Sequence, residues 1–200
     1  MKLLIVGGHG AIGKTLTAHF KKDNEVIIAG RSNGDIEVDI TDSSSITRMF
    51  DAIGNIDAII CAAGDAKWAT FENLTEDDYY IGFRSKLMGQ VNLTRLGYRH
   101  LNEGGSITLT TGILAEHPVP KTASAAMVNG AIHSFVKATA LELRRDVRLN
   151  AIAAGMVQDT YEKYKDYFPG HTPVSMEKVV SGYEQSVLGS ENGTIIKIYN

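Results

Sequence analysis

Apolar residues fall in short runs separated by stretches of mixed polarity, and the two kinds of segment have different periods. Leu3 to Val6, Glu25 to Gly30, Asp35 to Ile40, Ile56 to Cys61, Ser106 to Thr110, Val147 to Ile152 and Gly193 to Ile198 are short and dominated by aliphatic or β-branched side chains, as strands covered on both faces are. Between them the apolar positions return at helical spacing. Lys14 to Phe20 follows the first run. Ile46, Met49, Phe50 and Ile53 mark a helix of about three turns, opened by the capping residues Thr41-Asp42-Ser43 and stopped at Gly54. Thr75-Glu76-Asp77-Asp78 reads as a capping box opening a long helix to about Leu101, ended by Gly104-Gly105. Further helices are predicted from about Thr122 to Arg145 and from Ser175 to Val187.

Strands that alternate with helices need crossover connections, so the sheet is expected to be parallel, and right-handed crossovers place helices on both of its faces. The fold class that follows is α/β. It is a single-domain Rossmann fold over residues 1–200, a doubly wound seven-stranded parallel sheet with its ligand beyond the carboxyl ends of the strands. The polar and aromatic stretch from Gly155 to Pro173 breaks the alternation and is expected to form a substrate-side loop or lid.

The first strand breaks into Gly7-Gly8-His9-Gly10-Ala11-Ile12-Gly13, a G-x-x-G-x-x-G spacing that runs directly into a helix. Glycine there permits a tight turn and close approach of the backbone to a pyrophosphate, and the helix start offers free N–H groups to it. Gly7, His9, Gly10, Ala11, Ile12 and Gly13 are therefore candidate cofactor-binding residues. At the end of the second strand, where an acidic residue would hold the ribose hydroxyls of NAD, the chain reads Gly30-Arg31-Ser32-Asn33. A guanidinium and a hydroxyl suit a 2′-phosphate, so NADP is expected as the cofactor, while Asp35 keeps NAD possible.

Composition narrows the partners. The 200 residues carry a net charge of −3 with scattered charges and no basic block, which argues against nucleic acid. No run approaches membrane-spanning length, and the opening apolar run is shorter than a signal-peptide core, so a soluble, cytoplasmic protein with no membrane partner is expected. The single cysteine, Cys61, lies within an apolar strand and reads as an inert core thiol. His9 and His133 lack ligand company, so no metal site is expected. Ser124 is not set in the G-x-S-x-G turn of a hydrolase.

These motifs together resemble the short-chain dehydrogenase/reductase family over nearly the whole chain. Gly7, Gly10 and Gly13 match its nucleotide turn, and Val38-Asp39-Ile40-Thr41-Asp42 its adenine-contacting segment. Cys61-Ala62-Ala63-Gly64 matches its Asn-Asn-Ala-Gly motif, Leu141-Glu142-Leu143 the end of its long helix, and Arg148 to Gly155 its motif after the sixth strand. Val6, Cys61, Ala62 and Ala154 depart from the family pattern. The resemblance adds Asp39, Ile40, Ala62, Ala63, Gly64 and Gly155 to Arg31 and Ser32 as cofactor-binding positions.

It also implies a catalytic set, which this chain changes. The family's Tyr position falls on Ala125 and its Lys position on Asn129, so an atypical branch lacking the Tyr-x-x-x-Lys pair is implied. Thr111 stands near the family's Ser position and Lys86 at its Asn position, as if the Asn and Lys had been exchanged. Lys86, Thr111 and Asn129 are thus the expected catalytic residues of an NADP(H)-dependent oxidoreductase with a non-standard site, acting on a small carbonyl or alcohol. His117, Lys121, Tyr161 and Tyr164 are candidates for the displaced proton donor. The alternatives are a catalytically inactive NAD(P)-binding module or sensor, and a structural subunit. Family members commonly form dimers or tetramers, and a homodimer or homotetramer is expected through Leu87, Val91, Ala131, Phe135 and Ala138.

Overall fold

The structure is a computed structural model that describes residues 1–199. Seven parallel strands lie in the order β3-β2-β1-β4-β5-β6-β7. They are β1 (Lys2–Val6), β2 (Glu25–Gly30), β3 (Ile36–Glu37), β4 (Ile56–Cys61), β5 (Leu101–Gly112), β6 (Arg148–Ala154) and β7 (Ile195–Ile198). The order reverses at β1, which pairs with β2 on one side and β4 on the other, so the carboxyl ends of β1 and β4 flank the crevice of a Rossmann sheet. The helices are α1 (Gly13–Phe20), α2 (Ser43–Ile53), α3 (Glu76–Gly82), α4 (Gly89–Gly97), α5 (Ala123–Thr139), α6 (Tyr161–Tyr164) and α7 (Met176–Leu188).

The apolar run of β1 is continuous because both faces are covered. Successive side chains alternate, so Leu4 and Val6 enter one layer with Ile46, Phe50, Leu93 and Ile132, while Leu3 and Ile5 enter the other with Leu16, Val179 and Tyr183. The second layer is closed by polar side chains that satisfy one another. Tyr183 donates to Thr110 Oγ1 at 2.6 Å as Thr110 donates to the Cys61 carbonyl, and Thr108 pairs with Ser186 at 2.7 Å. A third apolar cluster, with Ile113, Leu114, Ala125, Met156 and Phe168, caps the carboxyl end of the sheet.

Three element boundaries differ from the pattern-based expectation. The long helix expected from Thr75 opens with the predicted capping box, Thr75 and Asp78 each accepting from the other's backbone N–H. It then widens into a π-helical turn over Phe83–Met88 before α4 resumes, and β5 has already begun at Leu101. Gly104-Gly105 does not end a helix. Gly104 adopts φ +72 and donates its N–H to the Arg145 carbonyl at 2.9 Å, in a stretch where the β4–β5 register shifts. The fifth helix stops at Thr139, before the expected Arg145, because the chain turns back through left-handed conformations at Arg145 and Asp146. Strand β3 keeps only Ile36 and Glu37, with Val38 and Ile40 continuing as irregular but buried chain.

Candidate active site

The site begins where β1 ends. Gly7 sits at φ +82, and a side chain on it would press on the Ala62 carbonyl at the end of β4. A side chain on Gly13 would enter the Gly7 carbonyl itself, so β1, β4 and the first turn of α1 come together only because these positions lack a Cβ. Gly10 closes the turn by donating to the Gly7 carbonyl at 3.0 Å, and neither Ala11 nor Ile12 gives its N–H to an acceptor among the described residues.

Beside this turn lies a cavity of about 290 Å³ walled by Val6, Gly7, Gly10, Arg31, Asp39, Ile40, Ala62, Ala63 and Gly64 together with Thr41, Asp65 and Ser85. Most of the residues expected to bind a dinucleotide are therefore in one place. Arg31 reaches over the mouth to Asp65 at 3.6 Å, both side chains well exposed, a pair weak enough to be exchanged for another anion. Asp35 points elsewhere and accepts the Ile28 N–H at 2.8 Å. The Asp39 carboxylate is held below its ordinary pKa by hydrogen bonds from the backbone and side chain of Thr41, with Arg31 assisting. His9, Ser32 and Gly13 do not line this cavity. His9 and Ser32 are exposed beside it, and Gly13 is buried behind the turn.

A second cleft of about 390 Å³ continues from the first across consecutive residues, Gly10 to Ala11 and Ser85 to Lys86. Its floor is polar, with Lys86, Thr111, Gly112 and Gly155, and its walls are apolar, with Ile113, Leu114, Met156, Trp68, Tyr164 and Phe168. The ring of Trp68 packs at 5.4 Å from Tyr164 and 5.8 Å from Tyr167. Of the four candidate proton donors, Tyr164 lines the cleft and Tyr161 belongs to the same apolar cluster. His117 is turned away against Tyr199, and Lys121 lies over the Tyr167 ring at 5.5 Å.

Lys86 is carried in by the π-helical turn. Its main chain and Cβ pack on Gly64, which at φ +128 has no Cβ to obstruct them. Lys86 is part-buried and makes no ion pair among the described residues. Burial therefore holds its ammonium below its ordinary pKa, while Cys61 and Asp65 pull the other way. Asn129 is 4% exposed on α5 behind the cleft, close to Gly112, and its Oδ1 has no partner among the described residues. Four residues before it, Ala125 is packed into the apolar cluster with Ile113, Leu114 and Phe168.

Thr111 stands at the cleft wall with its hydroxyl already engaged. Oγ1 is 2.9 Å from His133 Nε2 and 3.2 Å from the Ile152 carbonyl. Burial pushes the His133 imidazole below its usual pKa; Glu116 opposes this, and Lys137 and Lys197 reinforce it. Because the unfolded chain then binds that proton more readily, this contribution to stability is present above the unfolded value and is lost as pH falls through about 6.5 toward the lowered folded value. Urea unfolding is expected to show this acid loss, and His133→Gln to reduce its slope below about pH 6.5.

The sequence pattern does not mark Trp68, Ser85 or His133 as parts of the site. Trp68 lies where no period is legible, and Ser85 lies within the long helix read from Thr75, where the helical period alone does not single it out. The i, i+4, i+8 spacing of Ala125, Asn129 and His133 is the one signal that places His133 in line with the site.

The model of the family described as Enoyl-(Acyl carrier protein) reductase matches residues 14–178. Among solved structures, the protein lin1944 from Listeria innocua is 40% identical, with a TM-score of 0.97 and full coverage of both chains. A small-chain dehydrogenase in complex with NADPH is 27% identical, with a TM-score of 0.89, covering 100% of this chain and 96% of that one. Versicolorin reductase 1 from Dothistroma septosporum is 30% identical over 171 residues, which is 81% of this chain and 65% of that protein, so the chain spans under two thirds of this relative's length.

Proposed function

The chain belongs to the short-chain dehydrogenase/reductase family, and we propose that it is an NADP(H)-dependent oxidoreductase that interconverts a small carbonyl and its alcohol through a non-standard catalytic set. The observation that carries this reading is the position of Lys86, a part-buried cation without an ion pair among the described residues, at the junction of the glycine-lined cavity and the apolar cleft.

The residues present fit the cofactor. The cradle of Gly7 and Gly13 would be filled by any Cβ, and the N–H groups of Ala11 and Ile12, in the same turn, have no acceptor among the described residues, the arrangement a pyrophosphate needs. Arg31 and the nearby Ser32 supply donors for a 2′-phosphate. Asp35, bound to the Ile28 N–H, is not placed to accept from a ribose hydroxyl, which favours NADP over NAD. Asp39 and Ile40, which line the cavity, would border the adenine end, and Ala62, Ala63 and Gly64 with Gly155 of the adjoining cleft would border the ribose and nicotinamide. That the NADPH-bound relative shares this fold at 27% identity adds support. When bound, the dinucleotide supplies or accepts the hydride.

The chain's own part is charge and proton handling. Lys86 offers a cation to an oxygen that gains negative charge, in a cleft whose apolar walls strengthen the interaction. Thr111 adds a hydroxyl, and Asn129 lends its amide from behind. Ala125 and Asn129 occupy the positions of the family's Tyr and Lys, and Ala125 is enclosed by apolar side chains, which leaves proton transfer to other groups. The same packing is what an inactive NAD(P)-binding module or sensor would show, and turnover separates the two. The segment 155–173, packed by Trp68, Tyr164 and Phe168, serves in this reading as the substrate-side lid. A flat, apolar carbonyl compound matches its walls. Ile81, Phe83, Met88 and Met127 are exposed along α3, the π-helical turn and α5, and the reading includes a homodimer or homotetramer formed through these helices, although Leu87 and Phe135 pack against the core.

Thermal-shift titration with NADPH and NADH, followed by a carbonyl panel read at the nicotinamide absorbance, tests the proposal. NADPH is expected to stabilise the protein at lower concentration than NADH, and Arg31→Ala to cut that preference by about tenfold or more, the worth of a charge-assisted contact. Stabilisation by neither dinucleotide would refute the reading. Binding without any turnover would leave the sensor.

A further inference from the structure

We propose that His133 sets the direction in which the Thr111 hydroxyl donates, and so lets Thr111 pass a proton between the cleft and the far side of α5. The inference rests on the oxidoreductase reading for its consequence in turnover, but the hydrogen bond that carries it belongs to the protein alone.

Thr111 lines the cleft and is 5% exposed, while His133 is 8% exposed behind it. A threonine hydroxyl has one proton, and its neighbours at Oγ1 are His133 Nε2 at 2.9 Å and the Ile152 carbonyl at 3.2 Å. The carbonyl only accepts. Two arrangements follow. With the imidazole neutral and its proton on Nδ1, Nε2 takes the Thr111 proton, and the hydroxyl shows only lone pairs to the cleft. With a proton on Nε2, the imidazole donates to Oγ1, and the Thr111 proton is free for the Ile152 carbonyl or for an oxygen in the cleft.

The groups facing His133 decide between them. Glu116, from the turn after β5, favours a proton on the imidazole, whereas Lys137 on α5 and Lys197 on β7 oppose it. Glu116 is itself held by Lys197 Nζ at 2.6 Å and by the Tyr199 hydroxyl at 3.0 Å, which fixes its carboxylate. Burial favours the neutral ring near pH 7, and with that ring's proton on Nδ1 Thr111 accepts from the cleft.

The proton balance is complete. In alcohol oxidation the substrate O–H bond breaks and its proton goes to Thr111 Oγ1, while the Thr111 proton moves to Nε2 and the imidazolium releases its Nδ1 proton to water. The hydride is taken by the oxidised nicotinamide dinucleotide. Carbonyl reduction runs the same path in reverse and is favoured as His133 becomes protonated. His133 acts through Thr111 and is therefore a positioning residue.

Nitrogen NMR of imidazole-labelled protein without ligand reads the switch directly. Above its titration His133 Nε2 is expected at the shift of an unprotonated acceptor. Thr111→Val should move that resonance and the His133 titration, and Thr111→Ser should restore both. In turnover, His133→Gln places a fixed amide donor against Thr111. An amide has no proton to release or take up, so carbonyl reduction and alcohol oxidation should both fall by about tenfold or more, and the residual rates should lose the pH dependence that the imidazole imposes. A His133 resonance indifferent to Thr111→Val overturns the proposal, as do unchanged pH profiles in both directions for His133→Gln. Dinucleotide binding with no turnover of either an alcohol or a carbonyl would refute the oxidoreductase reading, and the imidazole resonances would still decide the hydrogen-bond switch.

Discussion

Gly13→Val is expected to abolish NADP(H) binding and to destabilise the fold by about 1–3 kcal/mol, the usual cost of forcing extra atoms into packed structure. The reason is backbone against backbone. A Cβ at residue 13 would enter the Gly7 carbonyl and crowd the Gly8 Cα, and no side-chain rotation relieves a contact with main chain. Gly7 cannot retreat, because its N–H is bonded to the Ala29 carbonyl at 2.8 Å and the Ala62 carbonyl lies against its other side. The first turn of α1 must then tilt away from β1, taking the N–H groups of Ala11 and Ile12 with it. Gly10→Ala is the informative companion. Its added methyl meets only the Gly7 carbonyl oxygen at 3.3 Å, so the fold should hold while the new Cβ occupies the face a pyrophosphate approaches. Fluorescence titration with NADPH and urea unfolding of both variants separate the two effects. Full NADPH affinity in Gly10→Ala would place the pyrophosphate elsewhere.

Lys86→Met should lower kcat for carbonyl reduction by about 10²- to 10³-fold, the range seen when one oxyanion-stabilising group is removed, with a much smaller change in NADPH affinity. Methionine keeps the unbranched stem that packs on Gly64 and removes only the charge, so a loss confined to kcat assigns the ammonium to the chemical step. The parent protein should carry the signature of that charge in its pH profile. Burial holds the Lys86 pKa below 10.5, so the protonated, active form is lost as pH rises through that lowered value, and an alkaline decline in kcat/KM is expected earlier than for a solvated lysine. The decline should be absent from Lys86→Met. Equal kcat in the variant and the parent would remove Lys86 from the chemistry and leave proton transfer to Thr111 and its histidine.

Much of this site is readable from the chain before any coordinates, and the limit can be located residue by residue. Gly7, Gly10 and Gly13 declare themselves because the requirement for a missing Cβ is local: it depends on a turn within seven residues of sequence. Arg31 is readable for the same reason, as the residue immediately after a strand whose partner order is given by the alternation of elements. Lys86 stands at the right position in the chain, but its entry into the cleft depends on the π-helical turn at Phe83–Met88. That turn depends on how closely Gly64, Gly89 and Ile40 let the surrounding elements approach. No helical period announces it.

The contrast between Gly104 and Gly54 makes the same point for the fold. Both are glycines at φ near +70, yet Gly54 ends α2 whereas Gly104 sits inside β5. The difference lies in the Arg145 carbonyl that Gly104 bonds, more than forty residues further along the chain and invisible to any local rule.

The sequence by itself determined the strands, the helical alternation that makes them parallel, the single Rossmann sheet and the glycine turn at its head, since each follows from periodicity or steric requirements acting over a few residues. Only the tertiary structure decided that Asp35 is spent on the Ile28 N–H, that Ala125 is sealed among apolar side chains, and that the Thr111 hydroxyl faces His133. Those are contacts between segments distant in the chain, set by how the layers pack, and hydrogen bonds of a buried group are chosen by whatever the packing brings within reach.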